Sequence, residues 1–369
     1  MSGMRCIRCN RLWPTDNYFT GCPHCAAIGS PASVAPHFDR FPSLCTPEDM
    51  AFWLAYPGER QLGEGLTPVV DLPALAQRSK VRRLLVKCEG ANPTGSHKDR
   101  MSAALVRRAR DVGATKIAVA SSGNAGASLA AYAANAGIDC VVVTTETMGR
   151  RWQRSIALSG AQIVIARDVT SRWELIDQKV EAGEWYPATN FTMPAVGGNP
   201  FAVDGLRSIA FELYLSLGSE QPTDIVVPVS RADLLWGLTK GYTDLVASGR
   251  LRTMPRIHAA EPFPRLSRVA NGECYTGSFK GKSRLQSLGG DTVTYQAIAA
   301  LAMSGGSVVA PPETETMAAQ RELAMAGLFV ESASAIVLSG LAGLRRSSVI
   351  SQEASILLIA TSHGYKEDD

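Results

Sequence analysis

Sequence features of membrane proteins, secreted proteins and polyanion-binding proteins are missing from this chain of 369 residues. No apolar run reaches the roughly 18 residues that a transmembrane helix needs, so we expect no membrane partner. Residues 1–4 lack the apolar core of a signal peptide, which makes the cytoplasm the expected location. The formal net charge is only +3, so nothing in the charge favours nucleic acid or another polyanion as a partner.

The composition is that of an ordinary globular protein. Hydrophobic residues make up 46% of the chain and charged residues 19%, which is enough to build a full core. There is no low-complexity tract and no repeat beyond an alternation of strands and helices. We therefore expect a soluble protein with two lobes and an appendage.

Half of the eight cysteines lie close together near the start of the chain. They form two CxxC pairs, which are Cys6, Cys9, Cys22 and Cys25. Two such pairs can supply the four thiolates of a tetrahedral zinc site, so we expect a structural zinc ribbon. The alternatives are a remnant ribbon without metal and a redox pair, although a redox pair needs a thioredoxin-like strand and helix that this segment lacks.

Strands and helices alternate along most of the remaining chain. After a linker at residues 27–47, the first strands are predicted at residues 81–87, 116–120, 140–144 and 162–166, with helices between them that end near Gly113, Gly137 and Gly160. A second set follows, with a helix at 201–217, a strand at 224–229, a helix at 234–247 and a last strand at 355–361. This pattern predicts an α/β fold with a mostly parallel sheet.

A lysine in an unfavourable place follows the first of these strands. Ser96 and Asp99 have the spacing of a capping box, which makes His97 and Lys98 the first two residues of a helix. The helix dipole disfavours a cation at this end, so the free amine of Lys98 becomes more accessible, as a Schiff-base lysine requires. The alternative is a solvated lysine that happens to follow a cap.

The second strand leads into a loop of small residues and then an Ala-rich helix. Backbone N–H groups of this loop, which reads SSGNAGAS over residues 121–128, face whatever lies at the carboxyl end of the strand. A carboxylate is well suited to such a site. Taken alone, the small residues are also explained by close packing of the helix.

These stretches resemble a known family. The motifs NPTGSHKDR at 92–100 and SSGNAGASLA at 121–130 are similar to those of the pyridoxal-phosphate enzymes of the tryptophan synthase β fold, fold type II, and closest to threonine synthases. The resemblance extends to the cysteine ribbon and to EGLTP at 64–68, NPFAVDG at 199–205, ESASA at 331–335 and ATSHGYK at 360–366.

The resemblance implies an overall organisation. It implies a two-lobed parallel-sheet fold with an N-terminal zinc-ribbon-like appendage over residues 1–30. Residues 31–94 would form a linker and the first part of a large cofactor domain, residues 95–200 a small α/β domain, and residues 201–369 the remainder of the large domain. It also implies a homodimer.

The resemblance further implies roles for single residues. Lys98 would bind pyridoxal 5'-phosphate as a Schiff base and then move the Cα proton of the substrate. Asn124 would hydrogen-bond the phenolic oxygen of the cofactor, and Thr361 would face its pyridine nitrogen, the alternative being that Thr361 caps a strand end. The substrate carboxylate would be held by the loop of Ser121, Ser122, Gly123, Asn124 and Ala125.

The chain departs from the family where the cofactor phosphate would bind. The glycine-rich loop expected after the strand at 224–229 is replaced by Ser230, Arg231, Ala232, Asp233 and Leu234. Backbone amides at the following helix could still hold a phosphate, with the Ser230 hydroxyl and the Arg231 guanidinium as further donors. Alternatively, Arg231 points to solvent and the phosphate is held weakly or not at all.

A second departure concerns the substrate. Ala202 stands where threonine synthases that use O-phosphohomoserine commonly carry a basic residue, so a ligand for the substrate phosphate is missing. His97 replaces an aromatic residue and could tune Lys98 or contact substrate, or simply pack as a structural histidine. Arg150, Arg151 and Arg154 on one predicted helix could bind an anion, although a solvated basic face is the simpler interpretation.

The expected function is therefore elimination and replacement on an amino acid, as in a threonine synthase that converts O-phosphohomoserine and water to threonine and phosphate. One alternative is a β-replacement synthase or ammonia-lyase that acts on serine, O-phosphoserine, O-acetylserine or a related amino acid. Another is a non-catalytic relative with a degenerate cofactor site. A zinc-ribbon nucleic-acid binder would need a basic, aromatic surface near residues 6–25 that is not visible in the sequence.

Overall fold

The computed structural model describes residues 1–367. In chain order, the elements begin with β1 (Gly3–Cys6), β2 (Leu12–Trp13), α1 (Pro23–Ala27), β3 (Val34–His37), β4 (Val69–Asp71), α2 (Pro73–Ser79), β5 (Arg83–Cys88), α3 (Lys98–Asp111), β6 (Lys116–Ala120) and α4 (Asn124–Ala136). They continue with β7 (Asp139–Thr144), α5 (Arg150–Leu158), β8 (Gln162–Ile165), α6 (Val169–Glu181), β9 (Tyr186–Pro187), α7 (Pro200–Asp204) and α8 (Ser208–Leu217). The last are β10 (Asp224–Pro228), α9 (Asp233–Ala247), β11 (Arg256–Ala260), α10 (Leu266–Ala270), α11 (Tyr295–Ser304), β12 (Val308–Val309), α12 (Glu313–Met325), α13 (Ser332–Arg346) and β13 (Ser355–Ala360).

The chain forms two compact units. The first unit contains Met1–Gly65, Asn92–Ser208, Lys366 and Glu367, and the second contains Leu66–Ala91 and Ile209–Tyr365. Within residues 1–367, no helix combines the length and the apolar character needed to cross a lipid bilayer.

The main sheet of the first unit is parallel throughout. Its strands lie in the order β8, β7, β6, β9. Val141, Val143 and Ala118 on these strands pack with Trp173 and Ile176 of α6. The strands read as continuous apolar runs because helices cover a parallel sheet on its faces. As a result, the carboxyl ends of β6, β7 and β8 all lie at one edge of the sheet.

The N-terminal residues of the first unit form a small antiparallel sheet, in the order β2, β1, β3. β3 lies inside residues 27–47, so the prediction of a linker there is wrong over Val34–His37. Met4 pairs with Pro36 in this sheet, and Val34 and Ala35 are buried. The small and proline-rich composition conceals the strand, because its order depends on pairing with β1 rather than on its own propensity.

The second unit is built on a six-stranded sheet, in the order β12, β11, β10, β13, β5, β4. Neighbouring strands are parallel except at the edge, where β4 runs antiparallel to β5. Ile336 and Leu341 of α13 pack with Ile356 and Leu358 of β13 in its core. The predicted α/β fold with mostly parallel sheets is therefore confirmed.

The helix predicted over residues 201–217 is interrupted. The structure has α7, then a 3-10 helix at Gly205–Arg207, and then α8. A side-chain carbon added at Gly205 would lie 2.1 Å from the carbonyl oxygen of Arg100, so the backbone here passes very close to α3. The tighter 3-10 turn occurs at this close approach, which periodicity along one segment cannot reveal.

A buried ion pair lies within the second unit. The Nζ atom of Lys87, which is 1% exposed, lies 2.6 Å from Oε2 of Glu212 and 2.7 Å from the Thr67 carbonyl oxygen. The other carboxylate oxygen of Glu212 accepts a hydrogen bond from the Leu66 amide at 2.8 Å. The pair therefore connects β5 and α8 with the chain segment that precedes β4.

Lys87→Met is expected to lower the free energy of unfolding by about 3–5 kcal/mol, because it leaves the Glu212 carboxylate buried without its cation. Urea unfolding measures the effect. The control Lys116→Met removes a lysine with a half-exposed side chain and is expected to change stability by less than about 1 kcal/mol. A loss for Lys87→Met as small as that of the control would show that the pair is not needed for folding.

Candidate active site

Lys98 is the first residue of α3, in the first unit. Its side chain is half-buried, and its Nζ atom lies 3.4 Å from the sulfur of Met101 one turn further along the helix. The amine thus lies at the positive end of a 14-residue helix beside a weak, uncharged acceptor. The positive end of a helix is an unfavourable place for a cation, which is the property that the sequence predicts for a Schiff-base lysine.

The predicted capping box at the start of α3 is wrong. His97, and not Ser96, is the N-cap, and Asp99 is the second residue of the helix. The Asp99 carboxylate accepts hydrogen bonds from the amide and hydroxyl of Thr94, at 2.7 and 2.5 Å. A tight turn, in which the Gly95 amide donates to the Asn92 carbonyl, brings Thr94 into this position. Burial raises the pKa of Asp99, although these hydrogen bonds oppose that effect.

A small cavity of about 20 Å³ adjoins Lys98 in the first unit. Most of its lining is apolar, with Met101, Leu105, Val119, Leu129 and Ala202 among its members. Ala202 is the position at which the sequence lacks a basic residue that could bind a substrate phosphate. The wall of this cavity therefore carries no charge at Ala202.

The loop after β6 is held by its own serine. The Ser121 hydroxyl oxygen accepts hydrogen bonds from the amides of Gly123 and Gly126, at 3.2 and 3.0 Å. Asn124 is the first residue of α4 and is 8% exposed, and its Oδ1 atom lies 3.4 Å from the indole nitrogen of Trp152. The turn is thus fixed in shape before any ligand binds.

The next serine of this loop has two side-chain donors. Ser122 is half-buried, and its hydroxyl oxygen accepts hydrogen bonds from Thr144 Oγ1 at 3.0 Å and from a terminal guanidinium nitrogen of Arg172 at 3.2 Å. Thr144 is the last residue of β7, and Arg172 lies in the first turn of α6, which follows β8. Neither residue was identified from the sequence, because only the strand order of the sheet brings them to this loop.

In the second unit, the altered loop after β10 leads into α9. Ala232 adopts a left-handed conformation with φ of 66°, and the first intrahelical hydrogen bond joins the Trp236 amide to its carbonyl oxygen. The amides of the first helical turn, from Asp233 onward, precede that bond and have no carbonyl partner within the helix. They form the kind of donor set that binds phosphate groups.

The side chains of this loop are engaged within the second unit. Ser230 donates its hydroxyl to the Gly289 carbonyl at 2.9 Å, and Arg231 donates its Nε–H to Thr292 at 3.2 Å. The Asp233 carboxylate accepts a hydrogen bond from Gln296 at 2.6 Å. Burial lowers the pKa of Arg231, whereas Asp233 and Asp291 oppose the shift. Whether Ser230 and Arg231 donate to a phosphate stays a prediction.

Thr361 follows β13 in the second unit and is 6% exposed. Its hydroxyl lies 2.8 Å from the hydroxyl of Ser334, in the first turn of α13, and either oxygen can be the donor. Ser334 Oγ also accepts a hydrogen bond from the Ser362 amide at 2.9 Å. Ser334 therefore fixes the orientation of Thr361, a role that the sequence alone did not show.

The four N-terminal cysteines come together in the first unit. All four sulfur atoms lie within 4.8 Å of one another, with Cys6 and Cys25 at 3.6 Å and Cys9 and Cys22 at 3.8 Å. A tetrahedral zinc site with Zn–S bonds of about 2.3 Å has sulfurs about 3.8 Å apart, so the cluster could hold a metal ion.

The sulfur environment also suits a metal ligand set. The amides of Arg8 and Cys9 each donate to Cys6 Sγ at 3.4 Å. Burial acts to raise the pKa of Cys9, but it is outweighed by the Arg11 amide and the neighbouring thiols, which lower that pKa to about 7. Burial raises the pKa of the Cys6 and Cys25 thiols, so a metal ion would have to displace the protons of those two ligands.

The comparisons with known proteins decide the family. A family of pyridoxal-phosphate dependent enzymes matches residues 60–362. The chain belongs to this family of pyridoxal-phosphate-dependent enzymes. The threonine synthase of Methanocaldococcus jannaschii is 28% identical over 99% of this chain and 93% of that protein. The threonine synthase of Mycobacterium leprae is 30% identical over 83% of each chain.

A solved structure agrees in fold. Cysteine synthase from Entamoeba histolytica superposes with a TM-score of 0.69 at 20% identity, covering 84% of this chain and 88% of that one. The resemblance seen in the motifs is therefore confirmed, and the protein is a pyridoxal-phosphate-dependent lyase or synthase.

Each unit, taken by itself, carries groups that suit part of this cofactor. The first unit offers a primary amine at a helix N-terminus and an asparagine at the start of the next helix, and the second offers helix N-terminal amides and a strand-end hydroxyl. Asp233 opposes a phosphate, because its negative charge lies at the start of α9. Its hydrogen bond from Gln296 partly satisfies that charge.

Proposed function

We propose that this enzyme carries out elimination and replacement on an amino acid, converting O-phosphohomoserine and water to threonine and phosphate. Relatives named threonine synthase that match nearly the whole chain support the reaction. The observation that carries the proposal is the pairing, within the first unit, of Lys98 at a helix N-terminus with a preorganised small-residue loop.

The residues of the first unit would handle the substrate. Pyridoxal phosphate, when bound, supplies the electron sink that stabilises negative charge at the Cα atom of an amino acid. The Lys98 amine would take the proton from Cα and would later return a proton to the substrate. The amides and hydroxyls of the loop from Ser121 to Ala125 would hold the substrate carboxylate, and Asn124 would orient the cofactor ring. His97 would contact substrate or tune Lys98.

The residues of the second unit would hold the cofactor. The amides of Ala232, Asp233 and Leu234 would bind the phosphate at the N-terminus of α9, with Ser230 and Arg231 as further donors. The Thr361 hydroxyl would face the pyridine nitrogen. A hydroxyl does not enforce a protonated ring, as an aspartate would, and this favours elimination and replacement over transamination.

We further propose that the cluster of Cys6, Cys9, Cys22 and Cys25 holds a structural zinc ion, as in a zinc ribbon. The tetrahedral sulfur spacing supports zinc, which prefers four thiolates in closed sites. A homodimer, which rests on the family resemblance, and a cytoplasmic location complete the proposal. Neither nucleic acid nor a membrane is part of it.

The cavity beside Lys98 favours a second candidate. Its wall at Ala202 carries no cation, so the structure offers no charge there for a substrate phosphate. A β-replacement synthase or ammonia-lyase that acts on serine or O-acetylserine needs no such charge. This candidate would use the same Lys98 and the same loop.

The purified enzyme with added pyridoxal phosphate is expected to release phosphate from O-phosphohomoserine and to form threonine in equal amount. Phosphate release and threonine formation are measured together, with serine, O-phosphoserine and O-acetylserine as parallel substrates. Pyruvate or a β-substituted alanine from one of these, with no threonine from O-phosphohomoserine, would replace the first candidate by the second. No turnover of any of them would contradict both.

A further inference from the structure

The side chains of Thr144 and Arg172, from different parts of the first unit, both contact the side chain of Ser122. Thr144 ends β7, Ser122 follows β6 and Arg172 belongs to α6, which follows β8. These strands are neighbours in a parallel sheet, so all three residues lie at its carboxyl edge, where α/β proteins bind their ligands. Arg172 is 9% exposed, so its charge is held close to the loop rather than in solvent.

The hydrogen bonds at Ser122 determine what its hydroxyl can do. A serine hydroxyl has one proton to donate and two lone pairs that accept. The single hydroxyl proton of Thr144 has the Ser122 oxygen at 3.0 Å and the Thr145 carbonyl oxygen only at 3.5 Å, so one lone pair of Ser122 accepts from Thr144. The other lone pair accepts from Arg172 at 3.2 Å. Because both lone pairs are used, the proton must point away from these two partners. A donor from a cation also polarises the hydroxyl and makes it a stronger donor.

We propose that Arg172 is a positioning residue that commits the Ser122 hydroxyl to donate to the carboxylate of the amino-acid substrate. The proposal rests on the proposed function, in which this loop holds that carboxylate. Arg172 acts through Ser122, and Thr144 assists it through its own hydrogen bond to the same hydroxyl. Without Arg172, the hydroxyl could rotate and present a lone pair to the carboxylate, which would repel it.

The local structure fixes Arg172 for this role. Asp168 caps α6, because its carboxylate accepts hydrogen bonds from the amide and hydroxyl of Ser171, each at 2.8 Å. Trp173 and Ile176 anchor the helix in the core next to β6 and β7. A cation in the first turn of a helix opposes the helix dipole, so folding of α6 does not by itself favour an arginine at this place.

The experiment measures how tightly the enzyme, loaded with pyridoxal phosphate, binds L-threonine and L-serine. Binding is followed by the change in visible absorption of the cofactor, so it does not depend on turnover. Arg172→Gln is expected to raise the dissociation constants of both amino acids about tenfold, the loss expected for a hydrogen bond to a charged group. The dissociation constant of pyridoxal phosphate itself is expected to stay within about twofold of the parent value, because Ser122, on which Arg172 acts, is assigned to the substrate and not to the cofactor.

A double-mutant cycle separates positioning from a general structural effect. In the Ser122→Ala background, Arg172→Gln is expected to cause almost no further loss, because its effect passes through the missing hydroxyl. Thr144→Val should weaken amino-acid binding in the same direction, and it provides a second test if Arg172→Gln does not fold. Arg167→Gln, at an exposed arginine just before the same helix, is the matched control and should bind like the parent.

The outcomes are distinguishable. Equal losses from Arg172→Gln with and without the Ser122 hydroxyl would overturn the positioning role, as would unchanged amino-acid binding. If the parent enzyme binds pyridoxal phosphate but neither amino acid changes its spectrum, the proposed function fails together with this inference. If the parent binds both amino acids and the Arg172 variants bind them as tightly as the parent does, the inference fails but the proposed function stands.

Discussion

Lys98→Ala is expected to abolish the visible absorption band of the bound cofactor and to lower kcat for amino-acid turnover by roughly 10³-fold or more. The large loss has two causes, because the same amine would form the covalent link to the cofactor and move the substrate proton. The band is measured by titrating pyridoxal phosphate into the purified variant and the parent, and turnover is measured by product formation.

The controls separate chemistry from charge and folding. Lys98→Arg keeps a cation at the start of α3 but cannot form the covalent link, so it should resemble Lys98→Ala in both measurements. Lys179→Ala removes a surface lysine and should behave like the parent. A visible band and turnover that survive in Lys98→Ala would show that another residue of this chain is the Schiff-base lysine.

The fold could be predicted from the sequence wherever one segment carries its own pattern. The mostly apolar run at residues 116–120 and the glycine at 137 bounded β6 and α4 correctly, because burial on both faces and a left-handed cap leave a local signature. β3 was missed and the helix over residues 201–217 was predicted without a break. Both depend on contacts with distant parts of the chain, namely β1 and α3.

The candidate site also contains residues that local sequence patterns predict and residues that only distant contacts bring together. Lys98 was predicted at the start of a helix and lies there, since strand, turn and helix are consecutive in the chain. The capping box failed because the Asp99 carboxylate bonds to Thr94 in the preceding turn. Arg172 and Thr144 could not be found at all, because 28 residues separate them and only the strand order joins them at Ser122.

The side chains of the loop after β10 are already engaged within the second unit. Ser230 and Arg231 already have partners within the second unit, at Gly289 and Thr292, so binding a phosphate would require these side chains to share or exchange them. The domain boundaries at residues 30, 94 and 200 also stay a prediction.

Cys22→Ser is expected to remove a bound zinc ion and to unfold the N-terminal sheet of β1, β2 and β3 in the isolated enzyme. Structural zinc contributes about 10–16 kcal/mol of apparent binding energy in small zinc-binding domains. That exceeds what so small a sheet can gain from its own core, because a segment of this size buries little apolar surface. Metal content of the purified protein and hydrogen exchange of the N-terminal amides measure the two effects.

The effect on the rest of the chain should be much smaller, since the parallel sheets of both units have their own apolar cores. Amides of β6 and β10 are therefore expected to keep their protection in the Cys22→Ser enzyme. Cys45→Ser changes an exposed cysteine outside the cluster and should leave metal content and exchange unchanged. If the parent enzyme contains no stoichiometric metal and its N-terminal amides are nevertheless protected, the cluster is held together by packing alone, and the zinc assignment is wrong.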